Sequence, residues 1–408
     1  MYEKEYFPKN GIGLDLINKQ LLSGRTCLTR ERGGAFLGFP HTSPHPIAIK
    51  AYKSYLKYNT NHVGIFTNTT DSLNPSRNME KSFIEMLGDL YGDANVDGYI
   101  TSGGTEGNIM GVWLGKNYLN KKIEGQITLM KTYLTHNSIT KACNINSIHN
   151  IVEIPVCSDF TMDLNGLRKQ IDITISENVK KIIIIATVGY TTTGTCDHIE
   201  GIHEIIQQYL HDKDMNIYLH IDAAIGGLVY PFCNNKAFGF EYSSVKSITV
   251  DPHKMGYTPF SSGVFLCREG FLDYVSTPIQ YSENVMDRTL VSSRNGAAAV
   301  ACWATFSYLG FSGFKLKLDR LIRLKKYLVK GLMKYGGVSI ISDPGTNMVC
   351  IHFKSMSNGL LPQYIEKKYT LDSFRLQVDS NLINCYKIYI MPHVTKKVID
   401  GFISDIKA

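Results

Sequence analysis

The stretch KIIIIATV at residues 181–188 limits the possible folds of this chain more than any other. Its four consecutive isoleucines are β-branched, stiff at χ1 and suited to a pleated surface. They are apolar at every position rather than at alternate ones. A strand of that kind is buried on both faces, and sheets covered on both faces are mostly parallel, with helices packed on each side. Shorter strand patterns surround it at 97–101, about 126–130, 151–156, 216–221 and 248–250. Helical spacing lies between them, with Met79, Phe83, Met86, Leu87 and Leu90 on one face of residues 77–91 and further helices at 109–119 and 198–211. Strand alternates with helix from about residue 60 to 300, which predicts an α/β doubly wound, mostly parallel sheet.

A chain of 408 residues can bury a large core and carry a second, smaller unit. Residues 1–55 read as an amino-terminal arm of irregular pattern, with Gly, Pro and His concentrated in 33–46. Residues 56–309 form the large domain. Near residue 310 the character changes, and 310–408 read as a small α+β domain with a basic helix at 315–335 and strands at 338–341 and 348–353. The net charge of +7 is modest and forms no basic stripe interleaved with aromatics, so a nucleic-acid partner is not expected. Nine cysteines are scattered without a C-x-x-C pair, which gives no support to a metal site and fits a reducing, cytoplasmic setting. No apolar leader opens the chain and no run reaches the length of a span, so no membrane association is expected.

Ligands of open α/β sheets bind outside the carboxyl ends of the strands, and the chain places polar groups there. Gly103, Gly104 and Thr105 lie in a turn from strand into helix, where free N–H groups and the helix dipole make an anion cradle, although a plain tight turn reads the same. His136 ends a strand and can stack on a flat ring, although a lone histidine is commonly structural. Thr191 sits in a hydroxyl-rich loop after the isoleucine strand. Asp197 is expected to cap the helix at 198–211. Asp222 ends a strand as a carboxylate that burial makes unfavourable unless a cation partners it, and a protonated pyridine nitrogen or a salt bridge would serve. In SITVDPHKMGYTPFSSG, residues 247–263, Pro252 stops a strand and presents His253 and Lys254. A partly buried lysine can act as an amine nucleophile, the alternative being a surface lysine after a strand. Together these groups are the parts needed to hold a phosphorylated pyridine aldehyde.

Seven segments, in order, resemble the pyridoxal-phosphate-dependent group II amino-acid decarboxylases, most of all the histidine and serine decarboxylase branch. They are GYITSGGTEGNIMG (98–111), HNSITKA (136–142), ATVGYTTTG (186–194), HIDAAIGG (220–227), DPHKMG (251–256), SSRNG (292–296) and IMPHVT (390–395). The resemblance implies pyridoxal 5'-phosphate as cofactor and an aspartate-aminotransferase-like fold of type I. It also implies a homodimer with shared active sites, acting on a small amino acid. It makes Lys254 the Schiff-base lysine, Asp222 the partner of the ring nitrogen, and Ala224 and His136 the two faces about the ring. It puts Gly103, Gly104, Thr105 and His253 at the phosphate and Thr191 near the cofactor. It offers Tyr281, in a loop after the lysine, as proton donor together with His136. Ser292 or Ser293 would reach the neighbouring subunit's phosphate. Substrate contacts are expected from residues 36–45 and from the loop near Tyr281.

Two departures bear on the substrate. Asp251-Pro252 stands where the histidine decarboxylases carry Ser-Gly, a form that leans toward archaeal tyrosine or aspartate decarboxylases and sphingosine-phosphate lyase. Tyr190 replaces a threonine. The rival readings are a carbon–carbon lyase acting on a phosphorylated long-chain amine, a cofactor binder without turnover, and an aminotransferase.

Overall fold

The computed structural model describes residues 13–32, 36–40, 42–63, 75–212, 215–233, 237–280 and 286–407. Its centre is a seven-stranded sheet. In chain order the strands are β1 (Val96–Thr101), β2 (Ile127–Thr132), β3 (Asn150–Ile154), β4 (Lys181–Thr187), β5 (Asn216–Asp222), β6 (Val245–Val250) and β7 (Gly263–Arg268). Across the sheet they run β1-β7-β6-β5-β4-β2-β3. All are parallel except β7, which is antiparallel to both neighbours. The isoleucines of β4 divide as their alternation requires. Ile182 and Ile184 enter one core, Ile183 and Ile185 the other, and all four are fully buried. Each contributes roughly 1.5–3 kcal/mol by leaving water.

Three differences from the sequence reading have physical causes. The arm is not irregular throughout: helices α1 (Leu14–Arg32) and α2 (Pro46–Leu56) form there. Pro46 opens α2, where its missing N–H is harmless, and His45 Nδ1 accepts from Ile47 N–H at 3.3 Å. Between them Leu37 is fully buried, its N–H donating to the Tyr369 carbonyl and its own carbonyl accepting from Tyr389 N–H. Asp197 does not cap the helix α7 (Ile199–Asp212). It is buried, accepting from the N–H groups of Thr187 and Met162 and from the Tyr190 hydroxyl, while His198 Nδ1 accepts from Gly201 N–H. The third is the helix α8 (Gly296–Tyr335), which runs 40 residues and kinks at Gly310, whose φ of 57° suits glycine alone. By length and composition it could cross a bilayer, against the sequence expectation, but half of its apolar stretch is buried inside the protein, as in a core helix. Beyond it lies a four-stranded antiparallel sheet made of β8 (Val338–Ser342), β9 (Met348–Phe353), β10 (Ser373–Val378) and β11 (Asn381–Tyr389), in the order β8-β9-β11-β10.

Candidate active site

The carboxyl ends of β1, β2, β4, β5 and β6 converge on one cleft of about 340 Å³. Gly103, Gly104, Thr105, His136, Thr191, Asp222, Ala224, His253 and Lys254 all line it. Strand β1 runs through Ser102 and Gly103 into the helix α4 (Gly104–Lys122), and Gly103 gives no side-chain cap to its first N–H groups. The helix begins five residues earlier than the apolar pattern indicates, because its first turn is glycine and polar residues. A Cβ at Gly104 would lie 2.7 Å from Asp251 Oδ2 and 3.2 Å from the Ala224 Cβ, so the cradle is closed to any side chain there. The Glu106 carboxylate turns back to accept from Ser102 N–H at 2.7 Å.

Lys254 sits on a single turn opened by Pro252, after β6. Its Nζ is 2.9 Å from Asp251 Oδ2, and Asp251 is only 2% exposed. His253 Nδ1 is 2.5 Å from the Ser262 carbonyl, which can only accept, so the proton lies on Nδ1 and Nε2 is left free, 3.9 Å from Asp251 Oδ2. Burial lowers the His253 pKa, against the opposing pull of Asp251.

Asp222, at the end of β5, is 4% exposed. Its Oδ1 accepts from Ala224 N–H at 3.1 Å and its Oδ2 from Asn108 Nδ2 at 2.9 Å. Its register partner on β4 is Thr187, whose hydroxyl is buried without a hydrogen-bond partner. His136 caps the helix α5 (Asn137–Ile145), with Nδ1 near both Ser138 N and Ser138 Oγ. Burial lowers its pKa; Asp222 opposes that and Lys254 adds to it. The loop after β4 is shaped by backbone contact: Gly189 has φ 93°, and a Cβ there would lie 2.7 Å from Gly226 N. The Thr191 carbonyl accepts from Tyr389 OH at 2.7 Å. Tyr190 is fully buried, accepting from Thr132 Oγ1 and donating to Asp197.

Ser293, expected at the neighbouring subunit's phosphate, does not line this cleft. Tyr281 lies outside the described residues, as does His41 in the segment 36–45. Ser293 belongs to a two-stranded ribbon, paired with Val63 and accepting from Asn61 Nδ2 at 3.1 Å, and it lines a separate cavity with Asn61 and Arg294. Ser292 donates to Asp287. Conversely, Asn108, Ser138, Thr187 and Asp251 take part in the cleft or its support without having been expected to line or brace it. Asn108 and Ser138 stand inside two of the quoted motifs, and that was the available signal.

The sequence matches the family model described as the pyridoxal-dependent decarboxylase conserved domain over residues 76–354. The chain belongs to the pyridoxal-dependent decarboxylase family. This decarboxylase is 30% identical over 379 residues to a probable L-tyrosine/L-aspartate decarboxylase of Methanosphaera stadtmanae, with 91% of each chain covered. It is 29% identical to an L-aspartate/L-glutamate decarboxylase of Pyrococcus horikoshii, with 98% of each covered. L-methionine decarboxylase from Streptomyces sp. 590 superposes with a TM-score of 0.85 at 18% identity, over 98% of this chain and 96% of that one. Catharanthus roseus tryptophan decarboxylase gives 0.83 at 16% identity, over 99% and 90%. At such identities the likeness is one of fold, the pyridoxal-phosphate fold of type I. These relatives do not single out the histidine and serine branch; Asp251-Pro252 points the same way as their names.

The cofactor of the family is pyridoxal phosphate, and the residues present fit it. The uncapped start of α4 suits a phosphate. The Thr187 hydroxyl and Asp251 Oδ1 are buried polar atoms lacking hydrogen-bond partners among the described residues. Asp222 is a buried carboxylate facing the cleft, and among the described residues no cationic side chain is bonded to it.

Proposed function

We propose that this decarboxylase acts on an L-amino acid with an aromatic or an uncharged polar side chain, of the tyrosine or histidine kind. On this reading Gly103, Gly104 and Thr105 hold the cofactor phosphate, and His253 lies beside it. Asp222 keeps the proton on the ring nitrogen, Ala224 and His136 flank the ring, and Thr191 lies beside it. The observation that carries the reading is the convergence of Lys254, Asp222 and His136 on one cleft with the glycine cradle.

When bound, pyridoxal phosphate supplies an electron sink for the pair released as carbon dioxide leaves. Lys254 provides the amine, held by Asp251 until the substrate amine takes its place. Asp222 opposes loss of the ring-nitrogen proton, and its burial strengthens that interaction by excluding water. His136 faces the cleft and returns a proton to the α-carbon, with Tyr281 as the alternative donor.

The side-chain preference rests on the cleft walls. Among the described residues lining it, Lys254 is the only Lys or Arg, whereas Leu134, Tyr190, Ile225 and Phe260 add apolar and aromatic surface. An aspartate or glutamate side chain would want a further cation. The same lining disfavours a lyase acting on a phosphorylated amine. We also propose a homodimer with Ser293 turned toward the partner's site, supported by exposed apolar side chains on α1 (Leu14, Leu21 and Leu22). A cytoplasmic location is supported by the scattered cysteines.

Separate incubations with L-tyrosine, L-histidine, L-aspartate and L-glutamate in heavy water test the substrate. The expected product is the amine of tyrosine or histidine carrying one α-deuterium, absent with Lys254→Ala. Amine formed from aspartate or glutamate instead would overturn the side-chain preference. A keto acid without amine would overturn decarboxylation in favour of transamination.

A further inference from the structure

Behind the cleft, a line of buried polar side chains joins two strands, β5 and β6, and two helices, α4 and α5. Tyr218 OH donates to Ser247 Oγ at 2.8 Å, and Ser247 Oγ lies 2.7 Å from His220 Nδ1. His220 Nε2 lies 3.1 Å from Asn108 Oδ1. Asn108 Nδ2 reaches Asp222 Oδ2 at 2.9 Å and Ser138 Oγ at 2.8 Å, and Ser138 Oγ lies 2.8 Å from His136 Nδ1. Tyr218, Ser247, His220 and Ser138 are fully buried, and Asn108 is nearly so.

The donor directions along this line follow from one group. Asp222 accepts at both oxygens, from Ala224 N–H and from Asn108, so the amide nitrogen of Asn108 faces it and the amide oxygen faces His220. That oxygen only accepts, so the His220 proton sits on Nε2. Burial holds His220 neutral, with its pKa pushed down to about 4, and its Nδ1 therefore accepts from the Ser247 hydroxyl. On the other branch, Ser138 Oγ accepts from Asn108 and is left to donate to His136 Nδ1. Ser138 N–H, a donor only, lies 3.3 Å from that same Nδ1. Two donors meet Nδ1, so the His136 proton is on Nε2. Each hydrogen along this line has a partner, with Thr249 Oγ1 a further neighbour of His220 Nε2 at 3.4 Å, and a satisfied buried polar network stiffens a site rather than weakening it.

We propose that Asn108 is a positioning residue that binds Asp222 and His136 into one unit, fixing the carboxylate that faces the cofactor ring nitrogen and the tautomer of the ring that stacks on it. This rests on the cofactor roles given above for Asp222 and His136. A residue that merely filled core volume would set neither.

The test begins with cofactor-free protein carrying ¹⁵N-histidine, the ring resonances being assigned with His136→Gln and His220→Gln. At neutral pH both Nδ1 atoms are expected to be unprotonated and both Nε2 atoms protonated. A proton on His136 Nδ1 would overturn the proposal. In Asn108→Leu, similar in size but unable to hydrogen-bond, the His136 nitrogens are expected to shift and the dissociation constant for pyridoxal phosphate to rise about tenfold or more. A folded Asn108→Leu with wild-type spectrum and affinity would equally refute it. Should that variant fail to fold, Ser138→Ala decides, since it leaves the Asn108–Asp222 bond in place. A moved His136 Nδ1 resonance and a severalfold weaker cofactor are expected, and no change in either would overturn the idea. Wild-type protein that binds no pyridoxal phosphate would defeat the reading of the cleft itself, while the nitrogen spectrum would still judge the network.

Discussion

Glu80 offers a sharp test of what holds the amino-terminal elements onto the sheet. It lies on the helix α3 (Pro75–Leu90), is 1% exposed, and is shared by three groups. Ile100 N–H of β1 donates to its Oε1 at 2.8 Å, Arg294 pairs with the same oxygen, and His62 Nδ1 is 2.5 Å from Oε2. Burial alone would push its pKa up, but Arg294 and then the His62 bond overcome that, leaving it at about 2 against an ordinary 4.5. A carboxyl held that far down adds about 3 kcal/mol to stability at neutral pH. An independent guide agrees, since removing one partner from a buried ion pair costs about 3–5 kcal/mol. Glu80→Gln is therefore expected to lose about 3 kcal/mol in urea unfolding at pH 7. The sign with pH follows from the depressed pKa: the advantage is complete above about 4.5 and is lost as pH falls toward 2, shrinking to roughly 1.4 kcal/mol at pH 3. A variant within about 0.5 kcal/mol of wild type at pH 7, well below that estimate, would refute the argument. So would a difference that stays constant down to pH 3.

Asp197 should act with the opposite sign: burial raises its pKa to about 6, so the unfolded chain releases the proton first and stability falls by about 3 kcal/mol as pH rises from 4 through 6, a fall that urea titrations should find missing in Asp197→Asn. Gly104→Ala should fold, yet weaken pyridoxal phosphate about tenfold or more by equilibrium dialysis, because its methyl group would enter the cradle beside Asp251. Lys254→Ala should abolish borohydride-trapped cofactor on the peptide around residue 254 and lower turnover by about a thousandfold or more; trapped label elsewhere would move the amine to another lysine.

What could be read from the sequence follows the range of the forces involved. Strands β1 to β6 were visible because apolar side chains repeat locally, and Ile182–Ile185 announced two covered faces without any partner in view. The groups lining the cleft were visible because strand ends bind ligands in such sheets and because whole motifs survive around them. Asp197 misled because an aspartate before a helix resembles a cap, and only the fold shows Thr187 and Met162 N–H groups turned toward it. Asn108 passed unnoticed because its partners lie 30 and 114 residues away. Helix α1 was missed because the part of it whose side chains are described shows no buried apolar stripe, and Leu14, Leu21 and Leu22 are exposed.

The antiparallel strand β7 also sets an order of events. It lies between β1 and β6 and joins Val96 to Arg268 and Thr101 to Gly263 across the sheet. Until residue 268 has been synthesised, β1 has no neighbour on which to settle. The glycine cradle at its end is then tied to the Lys254 side through α4 alone, whose Asn108 reaches Asp222 and His220. The latest strand of the sheet thus works as its keystone. A nascent chain halted at residue 260 would carry all the groups assigned to the cofactor apart from Ser293 and would lack the strand that seats β1 beside β6. The contacts of β7 with β1 span more than 160 residues, so the loop-closure entropy of assembling the sheet falls on this last insertion, where slow steps in folding belong.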